Sequence, residues 1–126
     1  RLKPDSSRPM KRGDVYFADL NPTQGSEQYG KRPVVILQRD SISRYTRTLV
    51  VVPCTASQVD KYRQLPSCVF VPQGIGGLYE DSVALGHQIR TVDRARLTDY
   101  LGTLPDTWLD EIEKVIAFTL QIPSAQ

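Results

Sequence analysis

The chain has 126 residues, 40% of them hydrophobic and 24% charged, with a formal net charge of +2 and a pI near 8.6. This is the composition of one globular domain with its own core, and no apolar run approaches the roughly 20 residues of a transmembrane helix. The weak positive charge permits a polyanionic partner without demanding one.

No basic-then-apolar leader opens the chain, so the expected location is the cytosol, with no membrane partner. In that reducing compartment Cys54 and Cys68, each inside an apolar run, read as two buried thiols; a disulfide or a reactive thiol is the alternative. Two cysteines and one histidine at unrelated spacings give no zinc signature, and no metal or cofactor is expected.

In chain order, residues 1–11, "RLKPDSSRPMK", read as a flexible tail before a single domain over 12–122, with Met10 a candidate natural start. "DVYFADL" alternates, with Val15 and Phe17 on one face and Tyr16 and Ala18 on the other. A long polar stretch follows, then "PVVILQ", a β-branched run beginning at a proline, which a first strand position tolerates. "TLVVVPC" and "PSCVFVP" repeat the theme, the glycines of "QGIGGL" read as a hairpin turn, and "DSVALGHQIRTV" makes one longer, more polar strand. A one-turn helix near "DRARL" and a short last strand "YLGTL" come next. The period then changes. Trp108 or Leu109, Ile112, Val115, Ile116, Thr119 and Leu120 recur at i, i+3, i+4, which predicts an amphipathic helix from about Pro105 to Gln121. The inter-strand segments are too short for crossover helices. The expected fold is mainly β: a small curled antiparallel sheet capped at its open end by one C-terminal helix.

The stretch from Leu20 to Arg32, "LNPTQGSEQYGKR", offers little to bury, and a loop of this length in a compact domain is usually functional or disordered. Arg32 ends it, fixed by Pro33, and its planar guanidinium suits bidentate phosphate binding; the plain alternative is a solvated cation or an ion pair with Glu27. Thr55 ends "LVVVPCT", where its hydroxyl can hold a phosphate oxygen, though a turn cap is the better reading from position alone. His87 is the only histidine, and imidazole suits proton transfer near neutrality. Alternation from Val83 and Leu85 puts it on their apolar face, where a core role is the plainer reading. Gln88, Arg90 and Thr91 carry the donors and acceptors that read single-stranded bases, or form an ordinary polar strand face.

Taken together, "RGDVYFADLNPTQGSEQYGKRPVVIL", "VVVPCT", "DSVALGHQIRTVDRARL" and the C-terminal helix resemble the MazF/PemK toxins of bacterial toxin–antitoxin systems, from about Lys11 to Ile122. The resemblance implies an SH3-like antiparallel barrel with a C-terminal helix, shared with the CcdB and Kid toxins, and a homodimer inhibited by a MazE-like antitoxin. It implies a metal-independent endoribonuclease that cuts single-stranded mRNA and leaves a 2′,3′-cyclic phosphate and a 5′-hydroxyl. Carried over by position, Arg32 and Thr55 are its catalytic pair. Asn21, Thr23, Gly25, Ser26, Glu27, Gln28 and Tyr29 form a mobile wall of the RNA site, joined by Gln88 and Arg90. Some relatives place an Arg and an Asp just before the "Q-x-R-T" element, and those positions here hold Leu85 and His87. The Arg role cannot transfer to Leu85; His87 can replace the carboxylate as base, or Arg32 and Thr55 act alone. The rival readings are a CcdB-like toxin that binds a topoisomerase and a non-catalytic RNA-binding barrel with Tyr29, Tyr45 or Tyr62 stacking bases.

Overall fold

The computed structural model describes residues 8–123. Seven strands, β1 (Asp14–Asp19), β2 (Lys31–Ile36), β3 (Thr48–Thr55), β4 (Cys68–Val71), β5 (Ser82–Leu85), β6 (Arg90–Asp93) and β7 (Leu97–Thr103), form one sheet. Its order is β4-β5-β3-β2-β1-β7, with β6 also paired to β3 and every pairing antiparallel. Two one-turn helices, α1 (Asp40–Ser43) and α2 (Val59–Tyr62), fill connections, and α3 (Asp106–Leu120) closes the chain. This is the mainly β architecture with a C-terminal helix that the alternation and the final change of period call for. Among the described residues no helix is long and apolar enough to cross a membrane.

Strand alternation gives the core two main faces, because successive side chains point to opposite sides, and Cys68, Val83 and Leu85 form a smaller third cluster. Val15, Val35, Val52, Cys54 and Ala84 face one way and are covered by Leu109, Ile112 and Ile116 of α3. Tyr16, Ala18, Val34, Ile36, Leu49, Val51 and Val92 face the other. The α3 stripe is shorter than its periodicity predicts: Leu120 lies exposed, beyond the last turn that has sheet beneath it. Pro105 is the N-cap of α3, and its carbonyl takes the first helical amides, those of Trp108 and Leu109. Arg12 ties the start of the domain to α3 through Glu113 and to the end of β2 through the Leu37 carbonyl.

The structure corrects two expectations. The tail does not reach Lys11: Met10 packs against the second core face, and the Arg8 guanidinium sits 3.6 Å above the Tyr100 ring and 3.3 Å from the Asp14 carboxylate. Residues 1–7 lie outside the described residues. The second correction concerns "DSVALGHQIRTV". Between the Cys54↔Ala84 and Val51↔Arg90 pairs, β3 moves three residues while its partner moves six. The surplus is taken up by a 3₁₀ turn, Gly86–Gln88. One predicted strand is therefore β5 and β6, two segments on the same edge of β3 with an outward excursion between them. Gly86 sits at its base because a Cβ there would come within 2.4 Å of the Ser67 carbonyl oxygen.

Candidate active site

Arg32 lies on the even-numbered face of β2, two residues before the buried Val34, where the second core face reaches the end of the sheet. Its Nε donates to the Tyr29 carbonyl at 3.0 Å, and its guanidinium carbon lies 5.5 Å from the centre of the Tyr29 ring. The terminal nitrogens make no hydrogen bond among the described residues, and Glu27 instead accepts from the Gln24 amide. The alternative of an Arg32–Glu27 ion pair is not realised.

Thr55 is reached through the β2–β3 register. That register pairs Ile36 with Val51, Val35 with Val52 and Val34 with Pro53, and Arg32 and Thr55 each lie two residues beyond its last pair. Opposed residues such as Val34 and Pro53 share a face, and by alternation Arg32 and Thr55 continue it. The Thr55 side chain is buried, 2% exposed, and its Oγ1 accepts the Ser57 amide at 3.1 Å. The turn-cap reading is thus realised, and it leaves the hydroxyl proton free to donate to a phosphate oxygen.

The loop before Arg32 is built rather than loose. Its ends are pinned where Gly30 N donates to Asn21 Oδ1 and Leu20 N to Gly30 O. A turn forms its tip, with reciprocal Gln24–Glu27 contacts around Gly25 at φ +54. Gln88, in the excursion, clamps it from the side: its Oε1 accepts the Gln28 amide and its Nε2 donates to the Ser26 carbonyl, both at 3.2 Å. Arg90 donates to the Leu20 carbonyl; Arg96 donates to the carbonyls of Asp19 and Asn21. The expected mobile wall is therefore restrained from three directions. Gln88 and Arg90, expected to read bases, have polar atoms engaged in holding it. Thr23 is half-buried, Ser26 and Tyr29 are exposed, and Gln28 Oε1 is buried without a hydrogen-bond partner.

A groove of about 390 Å³ opens beside this loop, lined by Glu27, His87, Gln88, Arg90 and Thr91 with Ile89. His87 is exposed, which corrects its placement on the apolar face: the excursion interrupts the alternation two residues after Leu85 and swings the ring outward. Its Nδ1 lies 2.8 Å from Ser67 Oγ and 3.8 Å from Cys68 Sγ, so the ring is held at the entry to β4 while its other nitrogen makes no hydrogen bond among the described residues.

A family model for the PemK-like, MazF-like toxins of type II toxin–antitoxin systems matches residues 11–120. The chain belongs to this family. It is 43% identical over 113 residues to Endoribonuclease EndoA of Bacillus subtilis, covering 90% of this chain and 96% of the relative. It is 43% identical over 111 residues to Endoribonuclease MazF of Staphylococcus saprophyticus, covering 88% and 91% respectively. Among solved structures it resembles a mycobacterial endoribonuclease in complex with its cognate antitoxin, at 26% identity and a TM-score of 0.75, covering 94% of this chain and all of the other. A Deinococcus radiodurans MazF, at 23% identity and the same TM-score, covers 97% of this chain and all of its own and shares the fold. The two curated relatives carry the names of endoribonucleases rather than of topoisomerase-binding toxins, and the CcdB-like reading is not favoured.

Two further features of this PemK/MazF-family site were not legible in advance. Ser67, the partner of His87, stands twenty residues away in the chain, and the braces from Arg96 come from a segment that reads only as a short polar helix. Both thiols are free, so the disulfide alternative falls. Complete burial pushes the Cys54 thiol up to about 12; burial also raises Cys68, against a lowering hydrogen bond from Ser67. Among the described residues no three His, Cys, Asp or Glu side chains gather as a metal-binding group.

Proposed function

We propose that the chain is the toxin of a type II toxin–antitoxin system, a metal-independent endoribonuclease that cuts single-stranded mRNA in the cytoplasm and so stops translation and growth. The observation that carries this reading is Arg32 and Thr55 together: a guanidinium with unoccupied terminal N–H groups and a hydroxyl with a free proton, each two residues beyond the last β2–β3 pair and beside a braced loop. The ribose 2′-oxygen attacks the adjacent phosphorus, a 2′-O–P bond forms and the P–O5′ bond breaks, leaving a 2′,3′-cyclic phosphate and a 5′-hydroxyl. Charge that builds on the non-bridging oxygens meets Arg32, whose N–H fork stabilises it more in the transition state than in the ground state. Thr55 donates to a phosphate oxygen and fixes its orientation. The 2′ proton passes to a base and the 5′ oxygen takes a proton; His87, held through Nδ1 and facing the groove, is the candidate for the first transfer.

The RNA runs between the loop over 21–29 and the groove at Gln88 and Arg90. The active form is a homodimer, held in check by a MazE-like antitoxin. The endoribonuclease names of the curated relatives and the antitoxin complex of the mycobacterial neighbour support this reading. The test is incubation of purified protein with a long single-stranded RNA in EDTA, with mapping of the fragment ends. Discrete cuts with 5′-hydroxyl ends, absent in Arg32→Ala, are expected; intact RNA across several substrates would overturn the reading.

A further inference from the structure

The register extends outward from Thr55. Val83 of β5 is opposed by Thr55 on one side and by Phe70 of β4 on the other. Thr55, Val83 and Phe70 therefore form one transverse row on one face of the sheet, each a strand spacing from the next. Two spacings of about 4.8 Å put Phe70 roughly 10 Å from Thr55. That is beyond the nucleotide at the scissile phosphate and within reach of one further along the same strand of RNA.

What stands at the end of the row is a stacking platform. The exposed Arg63, directly after α2, lays its guanidinium carbon 3.9 Å from the centre of the half-buried Phe70 ring. The guanidinium thus lies over the ring while the Arg63 side chain stays exposed to solvent. The platform belongs to a groove of about 880 Å³ whose lining begins at Ala56, the residue after Thr55, and continues through Asp60, Glu80 and Asp81. Asp81 is engaged with the Gln73 amide. The Asp60 and Glu80 carboxylates make no hydrogen bond or ion pair among the described residues.

We infer that this groove is a nucleobase subsite: a base flanking the cut stacks on Arg63 and turns an edge carrying an exocyclic amino group toward Asp60 and Glu80. Arginine planes are common stacking partners for single-stranded bases, and carboxylates accept from an amino group such as cytosine N4. Three carboxylates against Lys61 and Arg63 disfavour a phosphate here, so the occupant is the base and not the backbone. Uracil, which has no amino group, is the base the subsite rejects. The assignment rests on the endoribonuclease reading and adds a specificity determinant to it.

The test is cleavage of an RNA library randomised on both sides of the mapped cut, by the full wild-type chain, by Arg63→Ala and by the double variant Asp60→Asn/Glu80→Gln. All three substituted side chains are exposed, and thermal melts check that folding is retained. The expected wild-type result is discrimination against uracil at one position removed from the cut. The double variant should lose that discrimination and keep every other preference. Arg63→Ala should raise KM about tenfold, the scale of one lost stacking contact, with kcat unchanged. Wild-type cleavage with variants that match it in preference and KM would overturn the subsite alone. Absence of wild-type cleavage would remove the nuclease reading and the subsite with it.

Discussion

Arg32 and Thr55 each lie two residues past Val34 and Pro53, the last pair of the β2–β3 ladder. The Val50 carbonyl accepts from the Leu37 amide, so by alternation Pro53, which has no N–H to donate, faces away from β2 toward the β5/β6 edge. The same proline lies where β3 changes partner, from β6 over Thr48–Val51 to β5 at Cys54 and Thr55. A residue that would weaken a central strand elsewhere sits here at the break between two partners.

The first prediction separates the charge of Arg32 from its shape. Arg32→Ala should lower kcat for RNA cleavage by about 10²–10³, the usual cost of one lost transition-state donor, with a smaller change in RNA affinity. Arg32→Lys keeps the charge and loses the planar fork, and should fall between the two. Single-turnover cleavage read beside filter binding distinguishes them; equal losses in binding and cleavage would make Arg32 an anchor instead.

Thr55 has two tasks that substitutions can divide. Thr55→Ser keeps both the acceptor for Ser57 and the donor for phosphate, and should cleave within a few-fold of wild type. Thr55→Val keeps the shape but leaves the Ser57 amide unpaired, at about 1 kcal/mol of stability, and removes the phosphate contact. Denaturant titration and cleavage rates should both register the valine. A valine variant with full activity would confine Thr55 to the turn.

Gln88 should act through the loop. Gln88→Ala removes both of its contacts to Ser26 and Gln28, so the Gln28 amide should lose protection from hydrogen exchange. KM should rise several-fold as the wall loosens, with a smaller effect on kcat. Unchanged exchange at Gln28 would show that Arg90 and Arg96 suffice as braces.

Cys54 predicts an alkaline limit. Its folded-state value of about 12 lies above the ordinary thiol value near 9, so the unfolded chain releases this proton first. Stability from the buried, protonated thiol is fully present below pH 9 and is lost as pH rises from about 9 toward 12. The slope approaches about 1.4 kcal/mol per pH unit. Cys54→Ala should flatten that limb in denaturant titrations at pH 8 to 11. A residual slope from Tyr16, raised chiefly by burial and then by Asp14, and from Cys68 should remain.

Much of the fold was legible because it rests on local pattern. The alternation in "DVYFADL" placed Val15 and Tyr16 on opposite core faces, and the i, i+3, i+4 spacing of Leu109, Ile112 and Ile116 marked the buried side of α3. Arg32 was legible through its position, a cation between a polar loop and a β-branched run. His87 was not, because alternation assumes an unbroken strand, and the three-residue excursion depends on the Gly86 backbone passing close to Ser67, just before β4. That contact is set by tertiary packing. For the same reason the roles of Gln88, Arg90 and Arg96 as braces could not be read from residue type, which for all three suggests contact with RNA as readily as with backbone.

The braces also fix when the site can exist. The distant side chains that hold the loop and its entry come from residues 88–96, sixty to seventy-seven positions later in the chain. A contact cannot form before both of its partners have been synthesised and released, and the later one sets the time. A nascent chain still lacking Gln88 to Arg96 can carry Arg32 and Thr55 on emerging strands, yet its loop lacks these braces. The wall beside Arg32 and Thr55 is completed only after the ribosome has read well past the codons for both.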